Sequence, residues 1–153
     1  MYTTLLSLHS AFRWLVVIGV IYTLYRAYSG MAGNKSFTTA DANTRKYTVI
    51  AAHIQLLIGL AIYLLSPLTQ YFISNFGTAV KVREMRFYGM EHSIVMLLAI
   101  ILITVGSAAS KKKDNDRAKF KALAIWFTIA LILMLLMIPW PVSPFSIRPW
   151  FRF

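Results

Sequence analysis

The sequence contains no cysteine. This excludes disulfides, thiolate zinc sites, iron–sulfur clusters and covalent c-type haem attachment, and leaves histidine as the main possible metal ligand. There are three histidines: His9, His53 and His92. Charge is also scarce. Of 153 residues, 14% are charged and 58% hydrophobic, too little polar surface to cover a soluble core of this size. The surplus apolar surface needs an apolar solvent, and a lipid bilayer is one. Acidic residues are the scarcest charged type, so the formal net charge is +11. The basic residues lie mainly between and beside apolar runs, as cytoplasmic loops and anionic head groups require, so nucleic acid is not an expected partner. Residues 1–8 carry no Lys or Arg, and the first apolar run holds His9 and Arg13. A cleaved signal peptide has a basic start and an uninterrupted apolar run, so this segment is expected to be retained.

Four apolar runs are present, at about 5–25, 47–65, 87–109 and 122–138. A hydrocarbon core of ~30 Å is crossed by about 20 helical residues. The runs are apolar on nearly all faces, without the alternation of a transmembrane strand. The expectation is an all-α membrane protein, a single domain built as an up-down four-helix transmembrane bundle. Gly30 and Gly33-Asn34 are expected to end the first helix, Thr39 or Asp41 to cap the second, Pro67 to stop the second and Pro139 the fourth. Lys35, Arg45, Lys46, Lys111, Lys112, Lys113, Arg117, Lys119 and Lys121 cluster at the first and third loops. The positive-inside rule puts those loops in the cytoplasm and both termini outside, periplasmic in a bacterial inner membrane. The outer 67–86 loop mixes aromatic and polar residues and is expected to lie in the interface. The tail after Trp140 is rich in proline and aromatics, as an interfacial anchor or a docking strip for a larger membrane complex would be.

Ionisable residues inside a span are costly and usually face the bundle interior. They are His9, Arg13, His53, Glu91 and His92; Arg26 and Arg86 sit near helix ends and can snorkel. The first and third helices run in the same direction, and His9 and His92 both lie near their outer starts. They are therefore expected at one depth on diagonal helices, with His53 displaced toward the cytoplasmic side. Two inward imidazoles at one level are what a b-type haem needs for axial ligation. Arg13, one turn below His9, is a candidate partner for Glu91, a haem propionate or a quinone oxygen. Ser7, Ser10 and Ser93 are candidates to orient the ligands, and Arg86, Arg148 and Arg152 to meet propionates. Gln55 is two residues from His53 and cannot share its face. The bland alternative is that the histidines only hydrogen-bond across helices.

The segments Leu8-His9-Ser10-Ala11-Phe12-Arg13-Trp14 and Arg86-Phe87-Tyr88-Gly89-Met90-Glu91-His92-Ser93 resemble a family of small bacterial four-helix inner-membrane proteins known as cytochrome b-like. The resemblance extends through His53-Ile54-Gln55 and the closing Arg-Pro-aromatic tail. It implies haem b and electron transfer, with His9 and His92 as iron ligands and His53 as the third candidate. Large respiratory cytochromes b place two histidine pairs on two helices; three histidines on three helices hold at most one bis-histidine haem. No substrate-converting residues are visible, so a stand-alone enzyme is not expected. The rival readings are a haem-free, non-catalytic membrane subunit or assembly factor, docking through the 67–86 loop and the tail, and a small transporter. Transport sites usually use interrupted helices, which these spans lack.

Overall fold

The computed structural model describes residues 1–143; the expectations for Arg148, Arg152 and the rest of the tail lie outside them. The elements are α1 (Tyr2–Ala32), α2 (Thr39–Leu65), α3 (Pro67–Ser74), α4 (Phe76–Ala79), α5 (Arg83–Arg86), α6 (His92–Lys111) and α7 (Asp116–Met137). A π-helical segment, Phe87–Glu91, joins α5 to α6, so that Arg83–Lys111 forms one composite helix. The described residues contain no strand. α1, α2, the composite helix and α7 are each long and apolar enough to cross a membrane, the architecture of a multi-pass membrane protein.

Each helix is apolar on both its faces. α1 buries Val16, Val17, Val20, Thr23, Leu24 and Ala27 while leaving Leu15, Ile18, Tyr22 and Tyr25 exposed at the same helical spacing. Water would not tolerate the second stripe; acyl chains do. Between helices in lipid, close backbone approach replaces the hydrophobic drive, and small residues permit it. Ala51, Ala52, Ala99, Ala124 and Ala130 are all in the packed core. Gly30 does not end α1 as expected. It lies inside the helix, where a Cβ would meet the Phe120 ring of α7 at 2.5 Å, so its bare backbone lets the two helices close. The stop comes from Gly33 at the C-cap and Asn34 in the left-handed region at φ 47°.

The helices outrun the apolar segments because polar residues continue them at their ends. Arg26 Nε meets Asp41 Oδ1 at 2.6 Å, tying the end of α1 to the start of α2. The cap of α2 is Thr38, not Thr39 or Asp41. Asp41 is its reciprocal partner in a capping box, accepting from the Thr38 backbone N–H at 2.8 Å. Ser66 caps α3 with Pro67 in its first turn, so Pro67 both stops α2 and starts α3.

The four long helices form a ring in the order α1, α2, composite helix, α7, and back to α1. The composite helix is therefore diagonal to α1. The seam between α2 and α6 is much the most thinly packed of the four. The 67–86 segment folds into three short helices at the end of the bundle near the N-terminus, where Tyr2 Oη lies 3.2 Å from Ser66 Oγ. Phe72 of α3 and Phe87 are buried there, while Tyr71, Ile73, Phe76 and Val82 stay exposed.

Candidate functional site

A cavity of about 550 Å³ lies inside this ring, within the size range of pockets for small molecules and cofactors. His9, Arg13, Gln55, Tyr88, His92 and Ser93 give its polar wall. His9 lies about two turns into α1 and His92 between two and three turns into the composite helix, ~10–14 Å at ~1.5 Å per residue. The expected depth match and diagonal placement are both present, and both imidazoles face one cavity.

His92 is held by its ring nitrogen. Nδ1 lies 2.8 Å from the carbonyl oxygen of Met137, the last residue of α7. A carbonyl only accepts, so Nδ1 carries the proton and donates it. Helix ends leave carbonyls without intrahelical partners, and His92 satisfies one of them. The same bond fixes the tautomer and leaves Nε2 as a lone-pair donor. The partner is a backbone carbonyl, not one of the serines proposed from sequence. Ser7 donates to Thr3 O of its own helix at 3.2 Å, and Ser93 to Tyr88 O at 3.3 Å.

His9 is set differently. Its Nδ1 is buried and has no hydrogen-bond partner among the described residues. Such an atom costs free energy unless something fills its coordination or accepts its proton. Gly59 of α2 gives the ring its room: a Cβ there would stand 3.1 Å from His9 Cε1. Gln55, one turn along α2, donates from Nε2 to the His9 carbonyl at 3.0 Å. Gln55 and Gly59 were not read from the sequence as site residues. The available signal was the stripe Ala52, Gln55, Gly59, small and polar positions at helical spacing in a leucine-rich span.

Arg13 lines the cavity, its guanidinium carbon 5.3 Å from the Trp14 ring centre and 5.9 Å from that of Trp140. The proposed Arg13–Glu91 pair is not formed. Glu91 Oε1 accepts from Arg86 Nε at 2.7 Å, and Glu91 does not line the cavity. The cause is the π segment: its i→i+5 pattern brings residues five apart onto one face, and Arg86 and Glu91 are five apart. Arg86 also donates to Val80 O at 3.3 Å, so it is a pinned residue rather than a snorkelling one. The π segment also exposes carbonyls. Tyr63 O–H donates to Gly89 O at 2.8 Å, and Gly89 itself packs against the Phe72 ring.

His53 stands apart. It is exposed on the outer side of α2, with Nε2 3.2 Å from Thr104 Oγ1 of α6, and it does not line the cavity. This is an interhelical hydrogen bond of the kind expected for a structural histidine.

The residues present fit a b-type haem. Two imidazoles from diagonal helices reach one apolar cavity, one with its outer nitrogen already oriented and the other with a buried nitrogen lacking a protein partner. Among the described residues there is no cluster of three or more His, Cys, Asp or Glu for a metal ion; bis-histidine haem ligation asks for two. Comparisons with family models, curated proteins and solved structures found no match.

Proposed function

We propose that this protein is a one-haem membrane cytochrome b-like protein of the bacterial inner membrane. His9 and His92 would hold the haem iron and both termini would face the periplasm. The observation that carries this reading is the Nδ1–H donation from His92 to the Met137 carbonyl, which leaves Nε2 unprotonated on the wall of a cavity that His9 also lines. A b-type haem held by two neutral imidazoles supplies one-electron transfer. The protein's part is to bind and orient. Met137 O holds the His92 ring, Gly59 and Gln55 set His9, and the apolar wall keeps water away. Arg13 brings positive charge to the cavity wall beside His9 and His92, where a propionate or a quinone oxygen would meet it. The orientation rests on the lysines and arginines at the α1–α2 and α6–α7 turns.

The test is a reduced-minus-oxidised visible spectrum of protein purified from its native membrane. A haem b signal is expected. His9→Ala and His92→Ala should each abolish or greatly weaken it, and His53→Ala should leave it. A colourless protein overturns the reading; one that also co-purifies stoichiometrically with a larger complex would be a non-catalytic subunit.

A further inference from the structure

Among the described residues two charged side chains are buried, Asp41 at 5% exposed and Arg45 at 8%. They sit one turn apart on α2, at the end of the bundle that carries the α1–α2 and α6–α7 turns. Asp41 is fully engaged: it accepts from Arg26 Nε and from the backbone N–H and hydroxyl of Thr38. Arg45 is not. It makes no hydrogen bond and no ion pair with a described residue. The other acids at this end leave it alone, since Asp116 pairs with Lys119 at 3.2 Å and Asp114 is exposed in the α6–α7 turn. The Phe37 ring is near, its centre 6.0 Å from Arg45 Cζ. A ring face attracts a cation but gives its N–H groups no lone pair, and a buried charge left unanswered is costly.

The guanidinium is closed at its stem and open at its tip. Nε is buried without a partner; Nη1 and Nη2 also lack partners but are not shut in, so the exposed part of the side chain includes its terminal edge. Arg45 precedes the apolar run at about 47–65 by two residues, ~3 Å of helical rise. With that run in the hydrocarbon, Arg45 stands at the level of the head groups. Lys46 and Tyr47 beside it are exposed, the ammonium 5.8 Å from the ring centre, a pairing suited to that level. What Arg45 lacks is an anionic acceptor delivered there. A phospholipid phosphate is one, and the planar fork of a guanidinium matches two of its oxygens. The floor beside it is apolar, with Phe37 packed on Phe120 at 5.0 Å between ring centres. A soluble anion would leave water for that floor, whereas a lipid brings its own apolar chains.

We propose that Arg45 is a binding site for the phosphate of an anionic phospholipid, which receives Nη1–H and Nη2–H, with Lys46 adding positive charge beside it. The inference rests on the membrane-spanning architecture and on Arg45. It concerns the opposite end of the bundle from the His9–His92 cavity and is independent of the haem reading, which the visible spectrum tests separately.

The experiment uses the full chain in dodecyl maltoside, a detergent with neither charge nor phosphate. Phosphatidylglycerol, phosphatidylcholine and inorganic phosphate are titrated in turn, with thermal unfolding followed by circular dichroism. A ligand that binds the folded state raises Tm saturably, and phosphatidylglycerol should do so. Arg45→Met should weaken that binding about tenfold or more, the loss of a charge-assisted pair of hydrogen bonds. Lys46→Met removes the same charge from an exposed neighbour and should weaken it about threefold at most. Phosphatidylcholine, with the same phosphate but no net charge, should bind about fivefold more weakly or worse. Without lipid the order of the variants reverses: Arg45→Met removes an unanswered charge and should melt at or above the wild-type Tm. A lower Tm there would mean that the protein itself answers the charge, and overturns the proposal. So do no shift with phosphatidylglycerol, equal binding of the two lipids, equal weakening in Arg45→Met and Lys46→Met, or the same saturable shift with inorganic phosphate, which would make the ligand a soluble anion. If Arg45→Met does not fold, Arg45→Lys decides: a point charge without the fork should bind several-fold more weakly, and unchanged binding overturns the proposal.

Discussion

Gly59→Ala and Gly106→Ala make the same chemical change in two spans, and Gly106→Ala should be the more destabilising. Alanine is the better helix former by ~1 kcal/mol in each case. What differs is the neighbour. At position 59 the new methyl would stand 3.1 Å from His9 Cε1 and 3.6 Å from Nδ1, tighter than usual by a few tenths of an ångström. The His9 ring borders the 550 Å³ cavity and can rotate toward it, so the contact relaxes cheaply. At position 106 the methyl would strike Trp126 Cβ, an atom fixed to the α7 backbone that no rotamer removes. Relief there requires α6 and α7 to separate, and overpacking of this kind costs ~1–3 kcal/mol. Gly59→Ala is therefore expected to be neutral or stabilising by up to ~1 kcal/mol, and Gly106→Ala destabilising by up to ~2 kcal/mol net of the propensity gain. Reversible unfolding in mixed detergent, followed by helical ellipticity, measures both. The same Gly59→Ala chain should show an altered haem spectrum, because the methyl displaces the ring proposed to bind iron. If Gly59→Ala proves the more destabilising of the two, the account of His9 as a ring with room to move is wrong.

Two further substitutions test the local chemistry. Asp41→Ala removes the acceptor of the Thr38 backbone N–H and the partner of Arg26; with Asp41 only 5% exposed and Arg26 29%, Arg26 can turn to water, so the loss should be ~1–2 kcal/mol by the same unfolding assay. Asp41→Asn, which keeps a capping oxygen, should recover about half of it. Tyr63→Phe leaves the Gly89 carbonyl without its 2.8 Å donor and should cost ~1 kcal/mol. Hydrogen exchange should then accelerate in the Phe87–Glu91 segment more than in α7; uniform acceleration would mean that Tyr63 supports the whole bundle instead.

The spans were legible because lipid imposes a run length that water does not, and the matched depth of His9 and His92 followed from chain direction and a fixed rise per residue. The diagonal placement followed from short connections between antiparallel neighbours. The π segment was not legible. An i→i+5 turn has to be seen as a slip in periodicity, and Phe87–Glu91 sits between the polar start of α5 and a helix that is apolar on all faces, so there was no stripe to slip. The Arg13–Glu91 expectation failed with it, since regular α-helical spacing does not put Arg86 beside Glu91. Met137 as the anchor of His92 was beyond reach for another reason: a terminal carbonyl is offered by any residue that ends a helix, and methionine's side chain gives no sign of it. Gln55 is the instructive intermediate. Its separation from the face of His53 was readable, but its attachment to His9 was not, because its acceptor is again backbone. In a bundle surrounded by lipid, side-chain identity reveals which polar groups need partners. The partners are often main-chain atoms whose availability is set by where helices stop and where they widen, so the half of the site that holds the histidines in place emerges only when those ends are located.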